Sequence, residues 1–354
     1  MRAGLITTSG PFAGVTRYEE SLIDGLNKIG VEIDKIILNK KEIRILFLKE
    51  TTLLVTALNQ FYILLSRYLF SPKEKYDVYH ASSQFTATRY VDVVTVHDVI
   101  GLKNIPEIKE TIGILEKGLW LTCLPLIRKA KKIIAISEAT KNDLIKIAGF
   151  KENKIRVIYR NVDENRFYPS KDKNLREKLL NSLLFVGELR MYKNAQLVLR
   201  AMKILKEKYK EDYKFIIIGK ESRGSMKWWN KYTDFISKNN LKVEWLKDIN
   251  DEMLRKYYSN VDLFVWPSLY EGFGLPPLEA MACGTNVVCL DNEINKEILQ
   301  DKAFYSSNSD EEFAKTIRRA IEEKKPEKEL IAHAKKFNWE RQAKETREVY
   351  EEIK

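Results

Sequence analysis

Short β-rich apolar runs alternate with amphipathic helical stretches along most of the chain. In the first half the runs are RAGLITT, DVYHAS, VVTVHDV, KKIIAIS and KIRVIY, and in the second half they are SLLFVGEL, YKFIIIGK, KVEWLKD, VDLFVWPS and TNVVCLDN. Parallel strands need a long crossover connection, which is usually a helix. The alternation therefore predicts an α/β protein whose parallel sheets are covered by helices on both faces.

A polar stretch that contains a proline, residues 161–182, separates the two sets of runs. The chain has 354 residues, which suits two domains of roughly 150–200 residues each. We predict two Rossmann-like, doubly wound domains over residues 1–165 and 166–335, facing each other across a cleft, with a terminal helix over 336–354. Ligands of such sheets bind outside the carboxyl ends of the strands, so the site residues are expected there.

Composition excludes few functions. Hydrophobic residues make up 44% and charged residues 31% of the chain, which is typical of soluble globular proteins. The net charge of +11 suits anionic ligands, anionic membrane surfaces and nucleic acid alike. Cys123, Cys283 and Cys289 have no paired spacing and are expected to be reduced thiols of a cytosolic protein. The opening residues are typical of a first strand rather than of a signal peptide.

The longest uncharged run is TTLLVTALNQFYILLS, residues 51–66. It is shorter than the ~20 residues that a transmembrane helix needs. Its apolar residues recur at helical spacing, and basic residues flank it. A buried core helix and an amphipathic helix on a membrane surface both fit this pattern.

The most specific motif is SLYEGFGLPPLEAMACGTNVV, residues 268–288. A buried strand leads into Gly272–Leu275, whose backbone N–H groups precede Pro276 and Pro277. Prolines suit a first helical turn, where N–H donors have no partner inside the helix, and Gly284 suits the helix end. The motif therefore predicts backbone donors at a helix N-terminus, which is an anion site.

Two carboxylates, Glu271 and Glu279, bracket this loop. Ionised carboxylates only accept hydrogen bonds, so beside a phosphate they must face donors on the same ligand. Sugar hydroxyls are such donors. The combination indicates a nucleotide diphosphate sugar rather than a plain phosphate ligand.

Cations for the diphosphate are expected from LLFVGELRMYKN, where Arg190 and Lys193 follow a strand end. Such a pair could neutralise a diphosphate leaving group in place of a metal ion. The chain has no Asp-x-Asp pair and its three histidines are scattered, so no metal site is expected.

The other half of the chain offers two weaker signals. His97 and Asp98 end the run VVTVHDV, where a histidine can bond a substrate hydroxyl or move a proton. Gly10 and Gly14 lie in a strand-to-helix turn that could approach a ligand closely. The turn lacks the three-glycine dinucleotide pattern, so a nicotinamide cofactor is not expected.

Together these segments resemble glycosyltransferase family 4, the retaining nucleotide-sugar transferases of the GT-B fold. The resemblance covers nearly the whole chain and follows the family's order through TVHDV, IIAISEATKNDL, LLFVGELRMYKN, the Glu271-x7-Glu279 motif and NWERQAKETREVY. It implies that residues 1–165 face the acceptor and that 166–335 bind the nucleotide sugar. It also implies that the tail helix from Trp339 crosses back to brace the first domain.

The resemblance also implies a role for individual residues. Glu279 would hold the ribose hydroxyls, and Glu271 would contact the donor sugar together with the backbone of the glycine-rich loop. Lys193 would lie on the diphosphate, and His97 would touch the transferred sugar. The expected site is completed by Arg190, Gly14, Gly219, Lys220, Gly272, Phe273, Gly274 and Leu275.

Two departures from the family pattern stand out. Many members carry arginine directly after the glycine of the VG strand end, where this chain has Glu188. Arg190 lies two residues later, so its part in phosphate binding is in question. The family's interdomain NGVD reads RNVD here, and Asn161 can replace the glycine because asparagine tolerates left-handed backbone.

The resemblance implies metal-independent transfer of a hexose, from GDP-mannose or a UDP-sugar, to a hydroxyl acceptor. The acceptor would be a glycan or lipid-linked intermediate of cell-surface polysaccharide, glycolipid or oligosaccharide synthesis. The protein would be cytoplasmic, with peripheral attachment to the inner membrane face left open.

Three alternatives remain. One is a nucleotide-sugar epimerase or hydrolase on a similar scaffold, and another is a family member that binds the donor without catalysis. The third is a basic nucleic-acid-binding protein, but the aromatic residues do not interleave with Lys and Arg as in a base-stacking platform. Nucleic acid is therefore not an expected partner.

Overall fold

The computed structural model describes residues 1–7, 13–38, 65–109 and 114–354. The chain forms two compact units, and unit 1 comprises residues 1–105, 112–161 and 339–354, whereas unit 2 comprises 106–111 and 162–338. The boundaries expected at 166 and 336 lie within four residues of the changes of unit at 162 and 339.

Each unit is built on a six-stranded sheet in which every pairing is parallel. The strands of unit 1 are β1 (Arg2–Thr7), β2 (Glu32–Ile37), β3 (Val78–Ala81), β4 (Val93–Val96), β5 (Lys132–Ala135) and β6 (Ile155–Val157). Those of unit 2 are β7 (Ser182–Val186), β8 (Lys214–Ile218), β9 (Lys242–Leu246), β10 (Leu263–Trp266), β11 (Val287–Leu290) and β12 (Phe304–Ser306). Their orders are β2-β1-β3-β4-β5-β6 and β12-β11-β10-β7-β8-β9. The expected α/β fold with two doubly wound sheets is confirmed.

Helices connect the strands. They are α1 (Ala13–Lys28), α2 (Pro106–Lys109), α3 (Ile114–Lys129), α4 (Glu138–Lys146), α5 (Lys173–Lys178), α6 (Ala195–Lys208), α7 (Arg223–Lys238), α8 (Asp251–Asn260), α9 (Leu275–Ala282), α10 (Glu293–Leu299), α11 (Asp310–Glu323), α12 (Glu327–Ala334) and α13 (Trp339–Ile353). Short 3-10 turns lie at Gln84–Thr86, Ile100–Leu102, Glu152–Lys154, Met191–Lys193 and Gln300–Lys302. None of the helices in the described ranges is long and apolar enough to cross a membrane.

The terminal helix α13 belongs to unit 1 although it follows unit 2 in the sequence. Ala343, Val349 and Tyr350 of α13 are buried in one apolar cluster with Tyr18 and Leu22 of α1. The two helices approach closely at Gly25, where an added Cβ would lie 3.1 Å from the Ala343 side chain. The helix thus completes the core of the first unit.

All ten apolar runs form strands, but β2 and β12 were not expected. β2 reads EIDKII and lies at a sheet edge, where half-exposed positions accept charged residues and weaken the apolar signal. β12 also lies at an edge and has only three residues. The run at residues 51–66 lies outside the described residues, except for its last two positions, which are helical. Cys123, Cys283 and Cys289 are buried free thiols, as expected.

Candidate active site

The strand order of unit 2 reverses between β7 and β10. The chain continues from β7 to β8 on one side and from β10 to β11 on the other. Because the two connections diverge, a crevice opens at the carboxyl ends of β7 and β10. The loop after β7 carries Glu188, Arg190 and Lys193, and the loop after β10 carries Glu271. The fold therefore brings the two sequence motifs of unit 2 to one place.

Lys193 and Glu271 form an ion pair at this crevice. Nζ of Lys193 lies 2.6 Å from Oε1 of Glu271, and both side chains are largely buried. The ammonium also lies over the Trp266 indole, 4.8 Å from the ring centroid. Burial lowers the pKa of Lys193, but the charge and the hydrogen bond of Glu271 outweigh it, so the pKa lies above its usual value. Lys193 is therefore cationic at neutral pH.

The glycine-rich loop leads into helix α9, as the sequence predicted. Gly274 caps α9 with a left-handed φ of 86°, prolines fill the first turn, and Gly284 follows the helix with a φ of 85°. Within the described residues, the backbone N–H groups of Gly274 and Leu275 have no acceptor in the protein. Phe273 is buried and packs edge-to-face on Phe337, with ring centroids 5.8 Å apart. Its side chain thus anchors the loop, and only its backbone can face a ligand.

Glu279 lies on α9 and is only 6% exposed. The Tyr258 hydroxyl of α8 donates to its Oε2 at 2.9 Å. Tyr258 is itself held by the rings of Phe167 and Phe264 and by the Thr285 hydroxyl, which donates to its carbonyl. The orientation of the second carboxylate is therefore fixed from the protein side.

Glu188 bridges two groups just beyond β7. Its Oε1 accepts a hydrogen bond from Ser222 at 2.5 Å, and its Oε2 accepts one from Nε of Arg190 at 2.9 Å. Ser222 is the N-cap of α7 and forms a capping box with Ser225. The carboxylate that replaces the family arginine thus ties Arg190 to a helix N-terminus.

The expected glycines differ in what surrounds them. A Cβ on Gly219 would lie 2.2 Å from the Gly187 carbonyl oxygen, so only glycine fits between the ends of β7 and β8. The Gly219 N–H donates to Leu246 and its carbonyl accepts from the Trp245 indole, so both groups serve the sheet. Lys220 beside it is exposed. Gly14 lies in the first turn of α1 in unit 1, and Gly10 lies outside the described residues.

His97 follows β4 in unit 1 and is buried. Its Nε2 lies 2.8 Å from the Ser82 carbonyl oxygen, which can only accept, so Nε2 carries the proton and Nδ1 is an acceptor. Nδ1 is buried with no hydrogen-bond partner among the described residues. Burial, helped by the charge of Arg160, lowers the pKa of His97 to about 3. The neutral imidazole suits acceptance from a hydroxyl, whereas proton movement at neutral pH does not fit this pKa.

Several contacts of the site had no signal in the sequence. Tyr258 contacts Glu279 only through the tertiary fold, and nothing in its helical segment marks it. The Glu188–Ser222 bond likewise joins two separate loops. Trp266 could have been suspected, because it ends the strand that leads into the motif.

Two protein-family models match the chain. One is described as "Glycosyl transferases group 1" and matches residues 169–337. The other is described as "Glycosyltransferase Family 4" and matches residues 13–166. Between them the two matches span nearly all of both units.

Curated relatives share limited identity with the chain. The "O-antigen chain mannosyltransferase RfbU" of Salmonella typhimurium is 28% identical, over 56% of this chain and 52% of the relative. The "O-antigen chain mannosyltransferase B" of Escherichia coli is 24% identical, over 77% and 74%. A "UDP-Gal:alpha-D-GlcNAc-diphosphoundecaprenol alpha-1,3-galactosyltransferase" of Escherichia coli is 32% identical, over 66% and 62%. The chain thus spans about half the length of the Salmonella relative.

Solved structures share the whole fold. A sucrose-phosphate synthase from Thermosynechococcus elongatus superposes with a TM-score of 0.80 at 18% identity, covering 100% of this chain and 99% of that one. Anabaena Alr3699/HepE, solved in complex with UDP, superposes with a TM-score of 0.74 at 17% identity and covers 100% of both chains.

Proposed function

The chain belongs to glycosyltransferase family 4 and has the GT-B fold, and from that premise we propose that it transfers a hexose from a nucleotide diphosphate sugar to a hydroxyl acceptor. The anomeric configuration is retained in the proposed reaction. The observation that carries the proposal is the Lys193–Glu271 pair, which lies beside the N-terminus of α9 at the crevice of unit 2.

Unit 2 offers each part of the donor a matching group. The diphosphate needs donors and positive charge, which the backbone N–H groups of Gly274 and Leu275 and the Lys193 ammonium supply. Sugar hydroxyls need acceptors, which Glu271 and Glu279 supply. Because Tyr258 fixes one oxygen of Glu279, that carboxylate is preorganised to receive the ribose.

Unit 1 offers an acceptor for the transferred sugar. Nδ1 of His97 is a buried acceptor with no donor among the described residues, and such a group is costly to leave unpaired. A sugar hydroxyl would satisfy it. The low pKa of His97 keeps the imidazole neutral, so the contact does not depend on protonation at neutral pH.

Retention is proposed to proceed on one face of the sugar. No side chain of the described site stands out as a covalent nucleophile. In the proposed step the bond between the anomeric carbon and the phosphate oxygen breaks, and the acceptor oxygen forms its bond on the same face. The acceptor hydroxyl proton passes to the departing diphosphate oxygen. Lys193 and Arg190 stabilise the developing negative charge, which makes a metal ion unnecessary in this proposal.

The substrates are proposed from the relatives. Two of them are named mannosyltransferases, so GDP-mannose is the first candidate donor. A UDP-sugar is the second, because another relative is named for UDP-galactose and a structural neighbour was solved with UDP. The acceptor is proposed to be a growing cell-surface polysaccharide on a lipid carrier, reached by a cytoplasmic protein at the inner membrane face.

A transfer assay tests the proposal. The full chain is incubated with radiolabelled GDP-mannose, UDP-glucose or UDP-galactose, with and without a lipid-linked glycan acceptor. We expect label in the acceptor with one donor, and no release of free sugar without acceptor. Donor turnover that needs no acceptor would favour an epimerase or hydrolase instead. Binding of generic RNA without any nucleotide-sugar binding would overturn the proposal.

A further inference from the structure

A series of buried hydrogen bonds runs from α13 through β3 and β4 to α1. The Tyr350 hydroxyl of α13 lies 2.7 Å from Nδ1 of His80. Nε2 of His80 lies 2.8 Å from the Thr95 hydroxyl, and that hydroxyl lies 2.8 Å from the hydroxyl of Tyr18 on α1. All of these contacts lie within unit 1.

Each member of this series is buried and neutral. Tyr350, His80 and Thr95 are 0% exposed and Tyr18 is 3% exposed. Burial lowers the pKa of His80 to about 3 and raises the pKa of Tyr18 to about 12. The neutral His80 imidazole donates a hydrogen bond from one nitrogen and accepts one at the other. One of the two neighbouring hydroxyls therefore accepts from His80 and the other donates to it. Removing one hydroxyl would leave a buried polar atom without a partner, which is costly.

The hydrogen-bonded residues contact His97 through one ring and lie next to it along two strands. The Tyr18 ring packs edge-on against the His97 imidazole, with centroids 4.8 Å apart and planes at 87°. Thr95 precedes His97 by two residues at the end of β4. His80 precedes Ser82 by two residues, and the Ser82 carbonyl oxygen accepts the hydrogen bond from Nε2 of His97. One series of hydrogen bonds thus links the Tyr18 ring, which contacts His97, to the ends of β3 and β4, which set the position of His97.

Core stability alone does not require this arrangement. Replacing both partners of a buried hydrogen bond by apolar groups of the same shape is often nearly neutral for stability. Four hydrogen-bonded polar side chains instead fix the orientation of one another, because each hydrogen bond is satisfied in one geometry only. Orientation matters here because the Nδ1 lone pair of His97 must face one direction to receive a hydroxyl.

We propose that Tyr18 is a positioning residue for His97 and that Thr95, His80 and Tyr350 tether it to the terminal helix. The inference rests on the proposed function, since it takes His97 as the acceptor for a hydroxyl of the transferred sugar. The terminal helix then contributes to transfer without touching either substrate.

Nuclear magnetic resonance of the histidine side chains tests the tether directly. The chain has three histidines, so its imidazole nitrogen spectrum holds three ring systems, and His333 in unit 2 serves as the internal reference. The full chain carries Tyr18→Phe or Tyr350→Phe, with Tyr213→Phe in unit 2 as the matched control. We expect Tyr18→Phe to shift the His97 signals and Tyr350→Phe to shift those of both His80 and His97.

Kinetics provides the second readout. We expect Tyr18→Phe to lower kcat about tenfold and Tyr350→Phe about threefold, roughly the effect of one hydrogen bond or less. KM for the nucleotide sugar should change less than twofold, because the nucleotide contacts are proposed in unit 2. Tyr213→Phe should leave both parameters unchanged.

The outcomes separate the two proposals. If Tyr18→Phe and Tyr350→Phe lower the melting temperature but leave the His97 signals and kcat unchanged, the four hydrogen-bonded side chains are structural only. The inference is then wrong. If either variant fails to fold, Thr95→Ser and Thr95→Val replace it. The serine must retain the His97 signals and kcat and the valine must lose them, and equal behaviour overturns the inference. A wild-type protein that transfers no sugar overturns the proposed function and the part of Tyr18 in transfer, while the spectra still show whether the tether holds His97.

Discussion

Lys193 and Glu271 stand 78 residues apart in sequence and 2.6 Å apart in space, Nζ to Oε1. Each neutralises the other in a largely buried place. In the proposed reaction an incoming diphosphate therefore competes with Glu271 for the ammonium rather than meeting an unpaired cation. We expect Glu271 to become available for a sugar hydroxyl as the phosphate takes over Lys193. The pair would then couple binding of the phosphate and sugar parts of the donor.

Removal of the ammonium should disable transfer. We expect Lys193→Ala to lower kcat/KM about 100-fold or more, because it deletes charge opposite the leaving group and leaves Glu271 without its partner. Steady-state transfer of radiolabelled sugar measures the effect. Lys203→Ala, a partly exposed lysine on α6 of the same unit, is the matched control and should keep full activity. Equal activity of the two variants would remove Lys193 from the site.

The Tyr258 hydroxyl should matter for donor affinity. We expect Tyr258→Phe to raise KM for the nucleotide sugar about five- to tenfold with little change in kcat, because Glu279 loses a hydrogen bond worth about 1 kcal/mol. Tyr257→Phe is the control, since it makes the same change on the neighbouring position of α8. Calorimetric titration with the nucleoside diphosphate gives an independent value. A Tyr258→Phe variant with unchanged affinity would mean that Glu279 does not contact the donor.

Glu188 and Arg190 should act together in donor binding. We expect Glu188→Ala and Arg190→Ala to weaken donor binding by similar factors and the double variant to be no worse than either, because the carboxylate works by holding the guanidinium. Glu188→Gln should be milder, since one amide oxygen remains as an acceptor. Donor affinities of the wild type, the two single alanine variants and the double alanine variant complete the double-mutant cycle. Additive losses would show that Glu188 has a role separate from Arg190.

Acid should destabilise unit 1 through its buried histidines. The pKa of His97 is lowered to about 3, whereas in the unfolded chain it returns to about 6.5. Between these pH values only the unfolded state binds the proton. The contribution of neutral His97 to the free energy of unfolding is therefore full above pH 6.5 and is lost progressively toward pH 3. We expect the wild type to lose about 1.4 kcal/mol per pH unit more than His97→Asn between about pH 6 and 4. Urea unfolding at several pH values measures this, and parallel curves would contradict the low pKa.

Gly219 should tolerate no side chain. We expect Gly219→Ala to cost about 2 kcal/mol or more, because the new methyl group would collide with the Gly187 carbonyl between two strand ends. Gly118→Ala is the control, since nothing lies within 4 Å of an added Cβ at that helical position. That substitution should stabilise the protein by up to about 1 kcal/mol. Thermal unfolding compares them, and a neutral Gly219→Ala would show that the strand ends can separate.

Local patterns predicted the parts of the fold that depend on nearby residues. The strand at VDLFVWP, the proline turn and Gly284 at the helix end all follow from backbone chemistry within about 20 residues of sequence. The edge strand β2 escaped prediction because its charged residues suit a half-exposed strand as well as a loop. Periodicity reports burial, so it is weakest where a strand is exposed.

The site could be predicted as a set of residues but not as a set of contacts. Strand-end positions put Lys193 and Glu271 at one edge of the sheet, since parallel strands align their carboxyl ends. Nothing in the sequence joined Tyr258 to Glu279 or Tyr350 to His80, which are 270 residues apart. Such pairs are set by helix packing on the finished sheet, which has no signature in either segment alone.

The place of α13 also governs how the protein is made. Synthesis proceeds from the N-terminus, and unit 1 takes Ala343, Val349 and Tyr350 from α13 for its core. These residues leave the ribosome after all of unit 2, because they follow it in the sequence. Unit 2 is contiguous apart from a few residues, so we expect it to fold during synthesis before α13 covers the α1 surface around Tyr18 and Leu22. We therefore expect the unit that is made first to finish folding last.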